Sequence, residues 1–96
     1  MNYIDHIAAE IKQAIPPSKR PEHDAQFLYR LYALLALTRG TETTLKNVHD
    51  AWSLWMIQRG IIHESLVPFE ALRPEVQQED APYQSAVHSV ATSLSR

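Results

Sequence analysis

Apolar residues recur at helical spacing in four separate stretches of this chain, and prolines and its two glycines mark the joints between them. A chain divided in this way buries its apolar stripes by packing helix on helix. In the first stretch Ile4, Ile7, Ala8, Ile11, Ala14 and Ile15 share one face, with Asp5, His6, Glu10, Lys12 and Gln13 opposite. Asn2 is placed to cap its start. Pro16-Pro17 ends it, because proline disfavours helical geometry in the residue before it. Residues 16–23, PPSKRPEH, read as a polar connection in which Lys19 and Arg20 make a small solvated basic spot.

The second stretch, about Asp24 to Arg39, is apolar nearly all round, as the central helix of a small bundle is. Arg30 is its exception and requires either water or a partner. Gly40 is placed to end it with positive φ. Thr43 or Thr44 then caps a third helix, on which Leu45, Val48, Trp52, Trp55, Met56 and Arg59 form one stripe with His49 at its edge. Ala51, Leu54 and Ile57 make a second, weaker apolar face, to be covered by another helix or by a partner. Gly60 ends this helix. Pro68 opens a short helix through Leu72, and Pro74 opens another over roughly Glu75 to Glu79. Asp80 is placed to cap the last helix, with Pro82 in its first turn and Tyr83, Ala86, Val87, Val90, Ala91 and Leu94 as its stripe. His88 points away from that stripe, and the tail to Arg96 is expected to fray. No stretch reads as a strand. The prediction is an all-α fold, a compact bundle of four main helices plus one or two short ones, in a single domain over residues 1–96.

Composition narrows the function. The formal charge is −2, so no basic field attracts phosphate backbones, and a general nucleic-acid partner is disfavoured. The chain has no cysteine, which removes disulfides, thiolate nucleophiles and thiolate metal sites, and fits the cytoplasm. The N-terminal MNYIDHIAAE lacks the charge pattern of a signal peptide, and the longest apolar run, Phe27 to Leu37, is broken by Arg30 and too short to span a bilayer. No membrane association is expected.

No catalytic constellation is visible. Both glycines read as helix stops, so there is no phosphate-cradling loop, and Ser65 has neither a glycine elbow nor a visible base. His49 and His63 are the best paired imidazoles, but two ligands fall short of a zinc site, so no metal or cofactor is expected. Each is read first as tying a loop to a helix. Trp52 and Trp55 share the apolar stripe and read as core, Trp55 being the more open to an interface role. Leu54 and Ile57 are the stronger interface candidates. Arg30 and Arg59 could grip an anion, but more commonly such residues pair with an acid such as Glu64 or Glu70. Glu64, Glu70, Glu75, Glu79 and Asp80 read as a solvated acidic face, since carboxylates acquire separated pKa values only when burial drives them apart.

The run Asn47-Val48-His49-x-x-Trp52, followed by Ile57-x-x-Gly60 and His63-x-x-Leu66-Val67-Pro68-Phe69-x-x-Leu72, resembles the RyR domain. This is the repeat of the cytosolic part of ryanodine-receptor calcium channels, also found in free-standing bacterial and phage proteins. The match covers about residues 43–91. The whole chain is also similar to small proteins of actinobacteria and their phages. Three departures stand out. Ile61 occupies a position usually held by tryptophan, Glu64 one usually held by proline, and the hairpin that normally separates the glycine from the histidine is absent. The pattern is that of a trimmed RyR domain.

Two functions are therefore expected. The first is a non-enzymatic protein-interaction module, with Leu54, Trp55 and Ile57 meeting a protein partner, such as a host protein, or a second copy of the chain. The alternative, implied by the resemblance because RyR repeats have been associated with nucleotide binding, is a sensor for an adenine nucleotide or related compound. Its contacts would be Asn47, His49, Trp52, Arg59 and His63, where the third helix, the Leu-Val-Pro-Phe segment and the last helix meet.

Overall fold

A computed structural model describes residues 2–21 and 23–95. Glu22 of the polar connection and Arg96 of the tail expected to fray lie outside the described residues. Among those described the fold is all-helical, with no strand. Four long helices, α1 (Tyr3–Ala14), α2 (Gln26–Thr38), α3 (Leu45–Gln58) and α5 (Ala81–Leu94), make the bundle, and the single-turn helix α4 (Pro74–Gln77) precedes α5. Short 3-10 turns fill the joints at Pro17–Lys19, Gly40–Glu42, Phe69–Ala71 and Gln78–Asp80.

Local chemistry sets the helix ends. The Asn2 carboxamide accepts the Asp5 amide at 2.8 Å, capping α1. At the other end of α1, Arg20 donates its Nε to the carbonyls of Lys12 and Ile15 at 2.9 and 3.0 Å. Arg20 is thus not the solvated residue expected; it closes the carbonyl end of the helix, where a cation is favoured. Thr44, rather than Thr43, caps α3 and forms a capping box with Asn47: the hydroxyl accepts the Asn47 amide at 3.0 Å, and the Asn47 carboxamide accepts the Thr44 amide at 2.9 Å. Gly40 and Gly60 both take positive φ, +59° and +70°, as expected of helix stops. The second helix starts two residues later than expected, after Asp24, which itself adopts φ +50°.

α2 is central: it packs on α1, α3 and α5. Ile11, Ile15, Leu28, Tyr32, Ala33, Val48 and Val87 form the fully covered core. Arg30 finds the partner it requires in Asp5, with Nε and Nη2 on the two carboxylate oxygens at 2.7 and 3.0 Å. That two-pronged pair draws the Asp5 carboxyl below its ordinary range. No described helix is long and apolar enough to cross a membrane.

Candidate functional site

A cleft of about 450 Å³ opens between α3, the irregular segment after it and the start of α5. That volume falls within the range of small-ligand sites, roughly 300–1,000 Å³. Its position is where the sequence placed a ligand site, but its lining is only partly the expected one.

Three of the five expected ligand residues line it. His49 is 3 % exposed, and its Nε2 donates to the Val67 carbonyl at 2.7 Å. It therefore ties the Leu66–Phe69 segment to α3 and fixes the proton on Nε2. Trp52 stacks on the His49 ring at 5.7 Å between centroids, and the His63 ring stands edge-on to Trp52 at 5.2 Å. His63 is itself anchored, its Nδ1 accepting the Ser65 amide at 3.0 Å. The result is a continuous ring wall of His49, Trp52 and His63.

The other two are elsewhere. Asn47 is consumed by the α3 capping box and also accepts Arg39 Nε at 3.3 Å. Arg59 packs its guanidinium over the Trp55 ring, 4.4 Å from the centroid, at the far end of α3. Neither lines the cleft.

The interface candidates divide as well. Leu54 and Ile57 are 46 % and 62 % exposed. Trp55 is not part of that exposed face: it is 5 % exposed, and its Nε1 donates to the Asp24 carbonyl at 2.7 Å. The two tryptophans thus exchange their expected emphasis, Trp55 in the core and Trp52 half-exposed on the cleft.

Two residues that the sequence reading passed over complete the site. Asp80 was read as a helix cap within a solvated acidic face. It does occupy the N-cap position of α5, yet its side chain makes no cap hydrogen bond. The reason is local: α4, the 3-10 turn and α5 follow one another almost without a break, so Asp80 has right-handed helical torsions, φ −83° and ψ −7°, in place of the extended geometry that lets a cap side chain fold back. Its carboxylate instead lies half-buried on the cleft, with no hydrogen bond or ion pair to any described residue. Burial pushes its pKa up to about 6, partly offset by the His49 imidazole and reinforced by Glu79. The other acids behave as expected of a solvated face: Glu70 pairs with Lys46 at 2.6 Å and Glu75 with Arg73 at 3.3 Å.

Tyr32 is the second. It is 1 % exposed, lines the cleft, and its hydroxyl has no hydrogen-bond partner among the described residues. Burial first, and then the Asp80 charge, hold its phenol well above the usual tyrosine range. Its ring stacks on that of Tyr83 at 6.1 Å, and the Tyr83 hydroxyl donates to the Lys19 carbonyl at 2.7 Å. Aromatic rings thus border the cleft from α2, α3 and α5, with a carboxylate among them. Among the described residues, no group of three His, Cys, Asp or Glu side chains could hold a metal ion.

The family described as Domain of unknown function (DUF7701) matches residues 2–92. The chain belongs to this family. The match spans α1 to α4 and all but the last two residues of α5, so the DUF7701 domain includes α1 and α2 as well as the cleft-bearing part. No curated protein and no solved structure matches the chain. For this DUF7701 domain the chemistry of the site has to be argued from the cleft itself.

Proposed function

We propose that the domain is a non-enzymatic, cytoplasmic binding module and that its cleft takes a positively charged organic group. The observation that carries this is Asp80: a half-buried carboxylate, unpaired among the described residues, near Tyr32 and Tyr83 in a cleft that Trp52 also lines. A buried charge without a partner is unfavourable, and a cationic ligand would supply both the counter-charge and, through the ring faces, cation–π attraction. The RyR-like run from Asn47 to Leu72 supports ligand binding in the same region.

The adenine-nucleotide reading gains the ring wall but loses its phosphate contacts. Among the described residues Lys19 is the only lysine or arginine lining the cleft, and Glu79 and Asp80 share that lining. A polyphosphate would be repelled there, which favours a cation over a nucleotide. A separate protein contact at Leu54 and Ile57 remains a second reading, supported by their exposure.

The test is tryptophan fluorescence and calorimetric titration with butylammonium, butylguanidinium and adenosine, on the native protein and on Asp80→Asn. A cation that changes the Trp52 environment, and does so less in the variant, supports the proposal. Saturation by adenosine with no response to either cation would refute it.

A further inference from the structure

We infer that the group recognised by the cleft is an alkylguanidinium, the head group of arginine and of small guanidino compounds, lying in the plane of the Asp80 carboxylate. This rests on the cationic reading above and adds a choice among cations.

Three features make that choice. Neither oxygen of Asp80 is engaged by a described residue, so both can accept the two parallel N–H groups that a guanidinium presents as a fork. An ammonium offers a point charge and cannot use both oxygens in that way. The second feature is Tyr32. Its hydroxyl, on an almost fully buried residue and without a partner among the described residues, gives a further acceptor on the cleft. A guanidinium forked on both carboxylate oxygens keeps further N–H donors in the same plane, directed away from the carboxylate, with which to serve the hydroxyl, whereas an ammonium has no such planar fork. The third is the surroundings. The carboxylate is half-buried among rings, and the weakly hydrated, planar guanidinium gives up water and stacks on ring faces more readily than an ammonium does. Lys19, which also lines the cleft, forms no ion pair with Asp80 among the described residues and so leaves the carboxylate to a ligand.

The decisive comparison is between butylguanidinium and butylammonium, matched in chain length and charge, titrated into the full chain by calorimetry and followed by Trp fluorescence. The expected result is at least tenfold tighter binding of the guanidinium. Asp80→Asn should weaken it at least tenfold, and Tyr32→Phe should weaken the guanidinium but not the ammonium. Circular dichroism of both variants establishes that they fold. If Tyr32→Phe does not fold, the ratio of the two cations on the native protein decides alone.

Equal affinities, or preference for the ammonium with continued dependence on Asp80, would overturn the guanidinium assignment and leave the cationic site intact. Binding of neither cation, or binding indifferent to Asp80→Asn, would overturn both. An acetylated, amidated Ala-Arg-Ala peptide separates the two sources of the same chemistry. Tighter binding than butylguanidinium assigns an arginine of a partner protein, and no gain assigns a free guanidino compound.

Discussion

Replacing Asp80 with asparagine should make the unliganded protein more stable at neutral pH, and by an amount that depends on pH. The carboxyl titrates near 6 in the folded chain, against an ordinary 3.8, chiefly because burial disfavours its charged form. Each unit of pKa is worth about 1.36 kcal/mol, so the interval sets a ceiling of about 3 kcal/mol on the cost of keeping this group ionised. Solvent still reaches the half-buried group and screens it, which lowers the net figure to about 1–2 kcal/mol. The sign follows from proton binding. Between about pH 4 and 6 the folded state holds the Asp80 proton more tightly than the unfolded state does. Stability therefore falls as pH rises through that window, and the full penalty is present above it. The titratable groups facing Asp80 are His49 from α3, Glu79 beside it, and the phenols of Tyr32 and Tyr83. All remain in the variant, so subtracting the two stability curves isolates Asp80. Asparagine also keeps a residue suited to the start of α5. The assay is urea unfolding of both proteins at pH 4 and pH 7.5. The variant should gain about 1–2 kcal/mol at pH 7.5, or roughly 5–15 °C in Tm, and almost nothing at pH 4. A variant less stable than the native chain at pH 7.5, or a difference that does not change with pH, would refute the argument that Asp80 is an unpaired, partly desolvated charge.

Thr44→Ala removes the hydroxyl that caps α3 and should lower stability by about 1 kcal/mol in urea unfolding. Trp55→Phe deletes a buried indole and strands the Asp24 carbonyl, so a loss of about 1–3 kcal/mol is expected, whereas Trp52→Phe should leave the unfolding curve within about 1 kcal/mol and act on ligand binding. Tyr29 carries a buried hydroxyl with no partner among the described residues, and Tyr29→Phe should be neutral or stabilising by up to about 1 kcal/mol at its thermal midpoint. The double variant Leu54→Glu, Ile57→Glu should unfold within about 0.5 kcal/mol per site of the native chain and bind cations normally, while losing any protein contact made through that face in a pull-down.

The helices were legible because their signals are local. Asn2, Pro16, Gly40, Gly60 and Pro82 each act within a turn of their own position, and all five mark helix boundaries in the structure. Arg30 was legible as a residue in need of a partner, since an arginine on an otherwise apolar helix cannot go unserved, but Asp5 as that partner required the pairing of α1 with α2. The Thr44–Asn47 box was within reach of the same local rules and would have removed Asn47 from the ligand candidates. The division of labour between Trp52 and Trp55 was not legible. They lie three residues apart on one stripe, and what buries Trp55 is the turn at Asp24, 31 residues away in sequence.

Asp80 shows why the site was harder to read than the fold. An acid before a proline at a helix start is read as a cap, and the position is indeed the cap position. A cap needs a break in the backbone, however, and here two short helical turns run straight into α5, so the side chain is released from the backbone it was expected to serve. The same turns place it beside rings contributed by α2 and α3, which no pattern within residues 74–83 could reveal. The positive end of the α5 dipole then favours the carboxylate, while the surrounding rings and limited solvent disfavour it. The pKa near 6 reflects burial, reinforced by Glu79, outweighing the nearby imidazole. A group that destabilises the empty protein and would be neutralised by a cation is what a binding site predicts. A purely structural acid predicts the reverse, a loss of stability on removal. The sign of the Asp80→Asn change therefore separates the two before any ligand is known.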